Sequence, residues 1–397
     1  MTRAWRATGF AAALYLLVGA NLPYLPVFLE QARGFSGSQI SASVAAATMI
    51  RIFTGPVFAA AAERTGLSLI LGRLSLVLLL SFVAVYPASA IAPVFCLVVV
   101  VFVAWGALAP LTEALLVAST KSARPDYGTA RAIASSSFIL SSFVVGAALR
   151  TYGPDAILWA LIGAACLLTF SSTLLVGERP NAAQGLTLRE TVRQGFDLFG
   201  RRRILLYGLG VSLIQATHAY YYNLGSNIWI AEGIPTSHLG PLWSTGVAAE
   251  VLLLLGSGLL FARWTPGAII LLGGVGAVAR WTLTGLSPPL GVLYVLQALH
   301  ALTFAATHIG GLKFLSEEVP PEKLPVAMSI ASAVAYGPML ALFGILTGFY
   351  YDWAATTEGM SQAFGYWFMA GVACLGCGCA LGIVRRQPQR SALGGET

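Results

Sequence analysis

The sequence predicts an all-α membrane protein with about twelve transmembrane helices. Hydrophobic residues make up 57% of the 397 residues and charged residues only 10%, whereas about 25% of a soluble domain is charged. The apolar residues also fall into repeated blocks of about 20 residues, the length that crosses roughly 30 Å of hydrocarbon. One long polar break divides these blocks six plus six, which predicts two bundles of six helices.

The spans follow in chain order from the apolar blocks between polar or Gly- and Pro-containing breaks. The first block, Phe10 to Phe28, could be a signal peptide if it stood alone, but eleven further blocks favour an uncleaved helix. The predicted spans are 8–30, 38–62, 68–87, 91–118, 128–150, 155–176, 204–231, 238–262, 266–286, 289–315, 326–351 and 361–384. Residues 1–176 are thus predicted to form an N-terminal bundle, 177–203 a cytoplasmic central loop, and 204–397 a C-terminal bundle.

The basic residues of the loops predict the orientation. One side of the membrane carries most of them: the N-terminus, the central loop, Arg64, Lys121, Arg124, Arg263, Lys313, Lys323 and the tail with Arg385, Arg386 and Arg390. The other side carries Arg33 and Arg150. Because cytoplasmic loops are enriched in Lys and Arg, both termini are expected in the cytoplasm of a bacterium, with the chain in the inner membrane. The net charge of +7 therefore reflects topology and not a nucleic-acid partner.

No soluble-enzyme signature is present, since the sequence has no Walker loop and no HExxH motif. The cluster of Cys374, Cys377 and Cys379 resembles a metal site, but with no His or carboxylate nearby it is better interpreted as small-residue packing. We expect no enzyme activity, no cofactor and no metal. The expected partners are a small-molecule substrate, protons and the lipid bilayer, with the chain as a monomer.

Four polar groups of the second half are predicted at one depth in the membrane. They are His218, Glu250, Arg280 and His300, each near the middle of a different span at 1.5 Å rise per residue. A carboxylate, a guanidinium and two imidazoles at one level have the composition of a proton relay. The alternative is that Glu250 and Arg280 form a permanent salt bridge and that the histidines are only hydrogen-bonded to it.

Two spans add polar and aromatic side chains around this cluster. In span 10, Gln297, His300, Phe304 and His308 follow an i, i+3, i+7, i+11 spacing, which predicts one helical face lining a cavity. In span 7, Tyr222 and Asn223 lie close to His218 and are predicted to bind substrate, although tyrosines there could also belong to an interfacial aromatic belt. His308 lies nearer the cytoplasm and is assigned to a cytoplasmic gate, or only anchors that helix end.

In the first half, Arg51 and Glu113 are the deepest charges, and Arg131 begins the fifth span at the cytoplasmic edge. Glu113 and Arg131 are both expected within about 10 Å of the cytoplasmic surface, as a gating or packing pair. Arg51 is predicted to be a cation that faces the cavity, or alternatively a partner of Glu113. In span 1, Asn21 and Tyr24 are also predicted in the substrate pathway, because proline-interrupted helices are tolerated where they line one.

A resemblance to a known family enters with the loops and the polar motifs. Ala62-Glu63-Arg64-Thr65-Gly66 resembles the first-loop motif of the major facilitator superfamily, which implies that Glu63 and Arg64 belong to a cytoplasmic gate. Further motifs resemble the 3-phenylpropionate permease branch, itself similar to lactose permease and nucleoside symporters: Asp126-Tyr127-Gly128, Ser135-Ser136-Ser137-Phe138, Gly246-Val247-Ala248-Ala249-Glu250, Arg280-Trp281 and His300-Ala301-Leu302-Thr303-Phe304.

The resemblance implies a major facilitator fold, in which substrate is held between two bundles that rock around it. It further implies that Glu113 and Arg131 match the sugar-binding acid and arginine of lactose permease, while Glu250, Arg280 and His300 match its coupling residues. One departure is Thr303, which stands where the permease has a proton-releasing carboxylate. Proton translocation would therefore depend on Glu250 or the histidines.

These observations predict a proton-coupled symporter of a small organic solute that works by alternating access. An aromatic monocarboxylate is the favoured substrate, because Arg51 and Arg280 could hold a carboxylate beside Tyr24, Tyr222 and Phe304. The alternatives are a sugar or nucleoside symporter, an exporter of amphipathic compounds by proton antiport, and a membrane sensor that binds without transporting. No cluster of oxygen ligands suited to sodium is found in the sequence.

Overall fold

The computed structural model describes residues 2–121, 123–175, 201–320, 324, 327–328 and 337–384. The predicted central loop lies outside the described residues except for residues 201–203, as do Lys323 and the tail from Arg385. Within the described ranges, the regular structure is entirely helical, which confirms the predicted all-α class.

The first half forms six long helices with bounds close to the predicted spans. They are α1 (Arg3–Arg33), α2 (Gly37–Thr65), α3 (Leu67–Val85), α4 (Ile91–Thr120), α5 (Tyr127–Tyr152) and α6 (Asp155–Thr173). Thr2, Ser36 and Asp126 accept hydrogen bonds from first-turn backbone N–H groups at the starts of α1, α2 and α5, as N-caps do. α1 packs against α4, α5 and α6 at the centre of this bundle.

The second half is less regular. Its helices are α7 (Arg202–Ala216), α8 (Ala219–Ala231), α9 (Leu239–Leu260), α10 (Pro266–Thr284), α11 (Leu290–Ala298), α12 (Thr307–Glu318), α13 (Gly337–Thr356) and α14 (Gly365–Val384), with a π-helical turn at Ala301–Ala306 between α11 and α12. The predicted seventh span is broken between α7 and α8 at Thr217 and His218. The predicted tenth span is continuous from α11 to α12 but contains the π turn.

Ten helical stretches of the described chain are long and apolar enough to cross a membrane. The predicted seventh span is missing from these ten because α7 and α8 are each too short alone, and the eleventh, described only from Gly337, is also not among them. The chain is therefore a multi-pass membrane protein of the predicted fold class.

The two bundles meet at one end, which we call the outer end, where the turn between α1 and α2 lies. There α2 packs against α13, α5 against α9 and α1 against α8. Glycines allow the closest of these approaches: a Cβ on Gly348 would lie 2.8 Å from the carbonyl oxygen of Gly37, and a Cβ on Gly240 would lie 2.4 Å from that of Ser142. The sequence predicts that this closed end faces away from the cytoplasm.

Towards the opposite end, charged side chains of both bundles remain exposed, and we interpret this end as an open cleft. Arg131 of α5 and Glu250 of α9 interact electrostatically across it, yet their side chains remain 38% and 23% exposed. Arg131 and Glu250 therefore lie on opposite walls of a cleft that is closed at the outer end.

Candidate functional site

Glu250 and His300 form the part of the site that lies at the cleft. Glu250 is on α9, and His300 immediately precedes the π turn that follows α11. The Nε2 atom of His300 lies 3.8 Å from a carboxylate oxygen of Glu250. Among the described ion pairs there is no direct contact between Glu250 and Arg280, so the alternative of a permanent salt bridge between them is not observed. His300 stands between the two groups.

Arg280 on α10 is completely buried behind His300. Its guanidinium donates hydrogen bonds to Gln297 Oε1 at 2.9 Å, to His300 Nδ1 at 3.1 Å and to Thr303 Oγ1 at 3.2 Å. It also lies over the rings of Trp281 and Tyr221, at 4.4 and 4.9 Å from the ring centroids, as cation–π contacts do.

The charge of Arg280 has no direct counter-ion. No carboxylate of the described residues is within ion-pair distance of the guanidinium, and its Nε atom has no hydrogen-bond partner. Burying a cation among neutral acceptors is costly, so such a group is normally paired with an anion. The site is therefore suited to accept a negative charge.

These hydrogen bonds determine where the protons of the two histidines lie. Arginine can only donate, so His300 Nδ1 accepts from Arg280, and the ring proton of His300 is on Nε2, facing Glu250. His218 Nδ1 is 3.1 Å from the carbonyl oxygen of Gln215, which can only accept, so this nitrogen carries a proton. Both assignments follow from the partners and not from observed hydrogens.

Thr303 connects Arg280 to His218. Its oxygen accepts from Arg280, and its single proton points to His218 Nε2 at 2.9 Å, which is closer than the carbonyl oxygen of His300 at 3.4 Å. The result is one directed chain from Arg280 through Thr303 and His218 to the backbone of Gln215. The predicted proton-relay residues are thus brought together, with Thr303 as a member that the sequence interpretation did not include.

Two helix irregularities produce this arrangement. At the break between α7 and α8 the carbonyl oxygen of Gln215 can accept from His218. In the π turn the carbonyl oxygen of Phe304 accepts from the side chain of Gln215 at 3.2 Å. Single π turns inside α-helices are often found at functional sites, and their position is not marked by any residue pattern that the sequence analysis used.

The π turn also interrupts the regular helix that the predicted face of span 10 assumed. Gln297 and His300 are buried, whereas His308, about one turn beyond Phe304 by ordinary α-helical periodicity, is exposed. The predicted single face of Gln297, His300, Phe304 and His308 assumed a regular α-helix, and the inclusion of His308 in it stays a prediction. The role of His308 at a cytoplasmic gate stays a prediction.

Aromatic rings surround the relay. Phe304 stacks on His300 with ring centroids 5.3 Å apart, and Tyr222 lies 5.6 Å from the ring of His218 and 6.2 Å from that of His300. Trp243, which the sequence analysis did not identify, stacks on Tyr221 at 4.3 Å. Both Phe304 and Tyr222 remain partly accessible, so the cleft has an aromatic wall next to His300.

Asn223 lies elsewhere than predicted. It is only 5% exposed, and a Cβ on Gly344 of α13 would be 2.8 Å from its amide nitrogen. Asn223 follows Tyr222 directly, and since consecutive helical residues point about 100° apart, the two side chains lie on different faces. The structure places Asn223 in the packing between α8 and α13.

On the opposite wall, Glu113 and Arg131 form the predicted pair, with 3.3 Å between Arg131 and the Glu113 carboxylate. Tyr127 donates a hydrogen bond to Glu113, and Arg131 donates one to Tyr15 while lying 4.8 Å from the centroid of its ring. Tyr15 and Tyr127 were not identified from the sequence. They fix the orientation of a pair that is itself more than one-third exposed to the cleft.

Arg51 is exposed and lies across Gly106 of α4, where a Cβ would come within 2.1 Å of its Nε atom. The alternative pairing of Arg51 with Glu113 is not observed among the described ion pairs. Asn21 on α1 is 1% exposed, and neither its amide nitrogen nor its oxygen has a hydrogen-bond partner. A group of that kind is suited to a ligand or to an ordered water.

Tyr24, also on α1, differs from its predicted place beside the substrate. Its hydroxyl donates to the carbonyl oxygen of Ser142 at 2.6 Å, and the side chain is fully buried between α1, α5 and the start of α9. Tyr24 is therefore part of the outer closure. The predicted gate residues Glu63 and Arg64 are exposed near the end of α2, and no ion pair or hydrogen bond of either side chain is seen in the described part of the chain.

Comparisons with known proteins agree with this architecture. The family model described as "MFS_1 like family" matches residues 5–360. A relative from Escherichia coli (strain K12), named "Probable 3-phenylpropionic acid transporter", is 28% identical over 356 residues, covering 88% of this chain and 91% of the relative. A "Maltose permease" from Geobacillus stearothermophilus is 24% identical over 351 residues, covering 86% of each chain.

Solved structures show the same fold. The crystal structure of the nucleoside transporter NupG is similar with a TM-score of 0.81 at 16% identity, covering 98% of this chain and all of that one. An auto-inhibited peptide transporter of the POT family is similar with a TM-score of 0.70 at 14% identity, covering 99% of each chain. At such identities the likeness concerns the fold and not the substrate.

Proposed function

Because the chain belongs to the MFS_1 like family, whose relatives here are transporters and not enzymes, we propose that it is a proton-coupled symporter of a small organic anion. An aromatic monocarboxylate is the favoured substrate. The chain would work by alternating access in a bacterial inner membrane, with no cofactor and as a monomer. The name of the Escherichia coli relative, a probable transporter of 3-phenylpropionic acid, supports this substrate class.

The observation that carries the proposal is the buried Arg280 without a counter-ion. The site contains the three cations Arg51, Arg131 and Arg280 and the two carboxylates Glu113 and Glu250. A net positive charge of one therefore remains even when both acids are ionised. A bound monocarboxylate would balance this charge, which a neutral sugar would not do. The aromatic wall of Phe304 and Tyr222 offers apolar contact for a ring next to the carboxylate.

The proton would be carried by Glu250. When ionised, this carboxylate faces the Nε2–H group of His300 and interacts with Arg131 across the cleft. A substrate anion in the cleft would compete with ionised Glu250 for the same positive field. Binding of substrate therefore favours the protonated acid and, by reciprocity of linked equilibria, the protonated acid favours the substrate. One anion and one proton would cross together without net charge.

The test is transport by the purified protein in liposomes. With 3-phenylpropionate on both sides, radiolabelled counterflow should be fast. An inward-directed gradient of one pH unit should then give up to about tenfold accumulation, because it supplies about 1.4 kcal/mol for one proton. A protonophore should abolish accumulation and leave counterflow. Counterflow of maltose but not of any carboxylate would overturn the anion assignment, and binding without counterflow would favour the sensor alternative.

A further inference from the structure

The outer end contains a contact between the bundles that the transport proposal does not use. Asp352, near the end of α13, reaches the first turn of α2 in the opposite bundle. Its two carboxylate oxygens accept hydrogen bonds from the backbone N–H groups of Gly37 at 2.6 Å and Ser38 at 3.0 Å. The first N–H groups of a helix have no partner within the helix and carry partial positive charge, so a carboxylate is stabilised there.

The remaining groups of this turn are satisfied locally. Ser36 Oγ accepts from the backbone N–H of Gln39, and the side chain of Gln39 accepts from the backbone N–H of Ser36, which together form a capping box. Only the two N–H groups of Gly37 and Ser38 depend on the other bundle. The start of α2 is thus fully hydrogen-bonded by protein groups when the outer end is closed. When the outer end opens, water must take the place of Asp352.

A second carboxylate makes the reciprocal contact. Glu30, in the last turn of α1, accepts from the hydroxyl of Tyr351 at 2.7 Å and from the amide of Asn227 at 2.5 Å. Glu30 belongs to the N-terminal bundle, and both donors belong to the C-terminal bundle. Asp352 and Glu30 therefore reach across the same boundary in opposite directions, and the two donors to Glu30, Tyr351 and Asn227, come from two different helices.

We propose that Asp352 and Glu30 form an outer latch, which holds the cleft closed on the outside and which must release for the outward-open state to form. Each carboxylate bonds to neutral donors and not to a cation. Charge-assisted hydrogen bonds of this kind are stronger than neutral ones. Water can nevertheless replace each donor as the bundles part, without leaving an unpaired buried charge of the opposite sign. The contact thus favours the closed state but can open in each transport cycle.

The consequence is that removing one carboxylate should shift the equilibrium towards the outward-open state. A cysteine substituted for Ser41 reports this shift, because Ser41 is completely buried in the closed state. Its side chain packs so closely against Gly348 of the other bundle that a Cβ added to this glycine would lie 2.8 Å from it. Ser41→Cys should react slowly with a membrane-impermeant maleimide added outside intact cells. The parent protein with its five cysteines gives the background, and labelling after denaturation gives the total.

With Asp352→Asn the labelling rate should rise about tenfold, the factor for about 1.4 kcal/mol of lost stabilisation. Tyr351→Phe, which removes one hydroxyl donor and keeps the ring, should give a rise of about threefold. The matched control is Asp155→Asn, because Asp155 pairs with Arg33 at 3.6 Å within the N-terminal bundle. This control should leave the rate unchanged.

An unchanged labelling rate in Asp352→Asn, or an equal rise in Asp155→Asn, would overturn the latch. If Asp352→Asn does not reach the membrane, Tyr351→Phe decides by the same measurement. The assay requires no substrate and no transport, so failure of the latch and failure of the proposed function are distinguishable. A rise in labelling without any counterflow would support the latch and contradict the transporter proposal.

Discussion

The hydrogen-bond chain through Thr303 can be broken with one nearly isosteric substitution. Thr303→Val replaces the hydroxyl by a methyl group at a completely buried position. His218 Nε2 then loses its donor at 2.9 Å, and Arg280 loses one of its three acceptors at 3.2 Å. Each buried polar group left without a partner costs about 1–3 kcal/mol. Since Arg280 keeps His300 and Gln297, we expect about 2–4 kcal/mol in total.

The matched control is Thr307→Val, one helical turn further on. Thr307 is equally buried, but its hydroxyl donates only to the carbonyl oxygen of Thr303 in the same helix, at 2.9 Å. Loss of that bond should cost less than about 1.5 kcal/mol. The assay is thermal unfolding of the detergent-purified proteins at neutral pH. Thr303→Val should unfold several degrees below Thr307→Val and should also slow counterflow.

Equal unfolding temperatures of the two variants would refute this reasoning. They would mean that a water molecule replaces the hydroxyl, or that His218 is satisfied without Thr303. A loss of counterflow with unchanged stability would instead show that Thr303 contacts the substrate and does not link Arg280 to His218.

Three further predictions concern the coupling acid, the cation of α2 and a helix cap. Glu250→Gln should abolish accumulation driven by a pH gradient and retain counterflow, because glutamine keeps the size of the side chain but cannot carry the proton. Loss of both activities would make Glu250 a binding or structural residue. Gly106→Ala should displace the flexible end of Arg51, whose Nε atom would lie 2.1 Å from the new Cβ. We expect a severalfold higher KM for carboxylate uptake at unchanged stability. An unchanged KM would mean that Arg51 does not belong to the substrate site. Asp126 accepts a hydrogen bond from the backbone N–H of Thr129, which lowers the pKa of its carboxyl, so this cap stabilises the fold at neutral pH and is lost as pH falls through the lowered pKa. The unfolding temperature of Asp126→Ala should therefore be lower than that of the parent protein at pH 7, and this difference should shrink towards about pH 3. A difference that stays constant with pH would argue against the cap.

Much of the site could be predicted from the sequence, because the depth of a residue in the membrane follows from its position along its helix. The rise of 1.5 Å per residue gives the depth of Glu250, Arg280 and His300 from their distance to the nearest loop, and the structure brings these groups together. The pair of Glu113 and Arg131 was likewise predicted from depth and is observed at 3.3 Å. Roles in coupling and substrate binding stay predictions.

Depth does not determine the rotation of a helix about its axis, and this explains most of the differences. His300 stands between Glu250 and Arg280, and Asn223 packs against α13. Each depends on how the π turn or the local helix rotation directs a side chain. The sequence signal for Thr303 was its place in the stretch from His300 to Phe304, but a threonine in an apolar helix usually bonds to its own backbone.

The sequence by itself determined the membrane location, the helical class and the set of charged groups in the interior. Apolar blocks of about 20 residues are long enough to cross hydrocarbon as helices, and a charged residue within such a block is rare and easily recognised. Only the tertiary structure decided how those groups pair. Contacts such as that of Asp352 with the start of α2 join residues more than 300 positions apart, and no local pattern encodes them. They arise because the boundary between the two bundles brings segments together that are distant in the chain, so that partners are selected by shape and by unsatisfied hydrogen-bonding groups at that boundary.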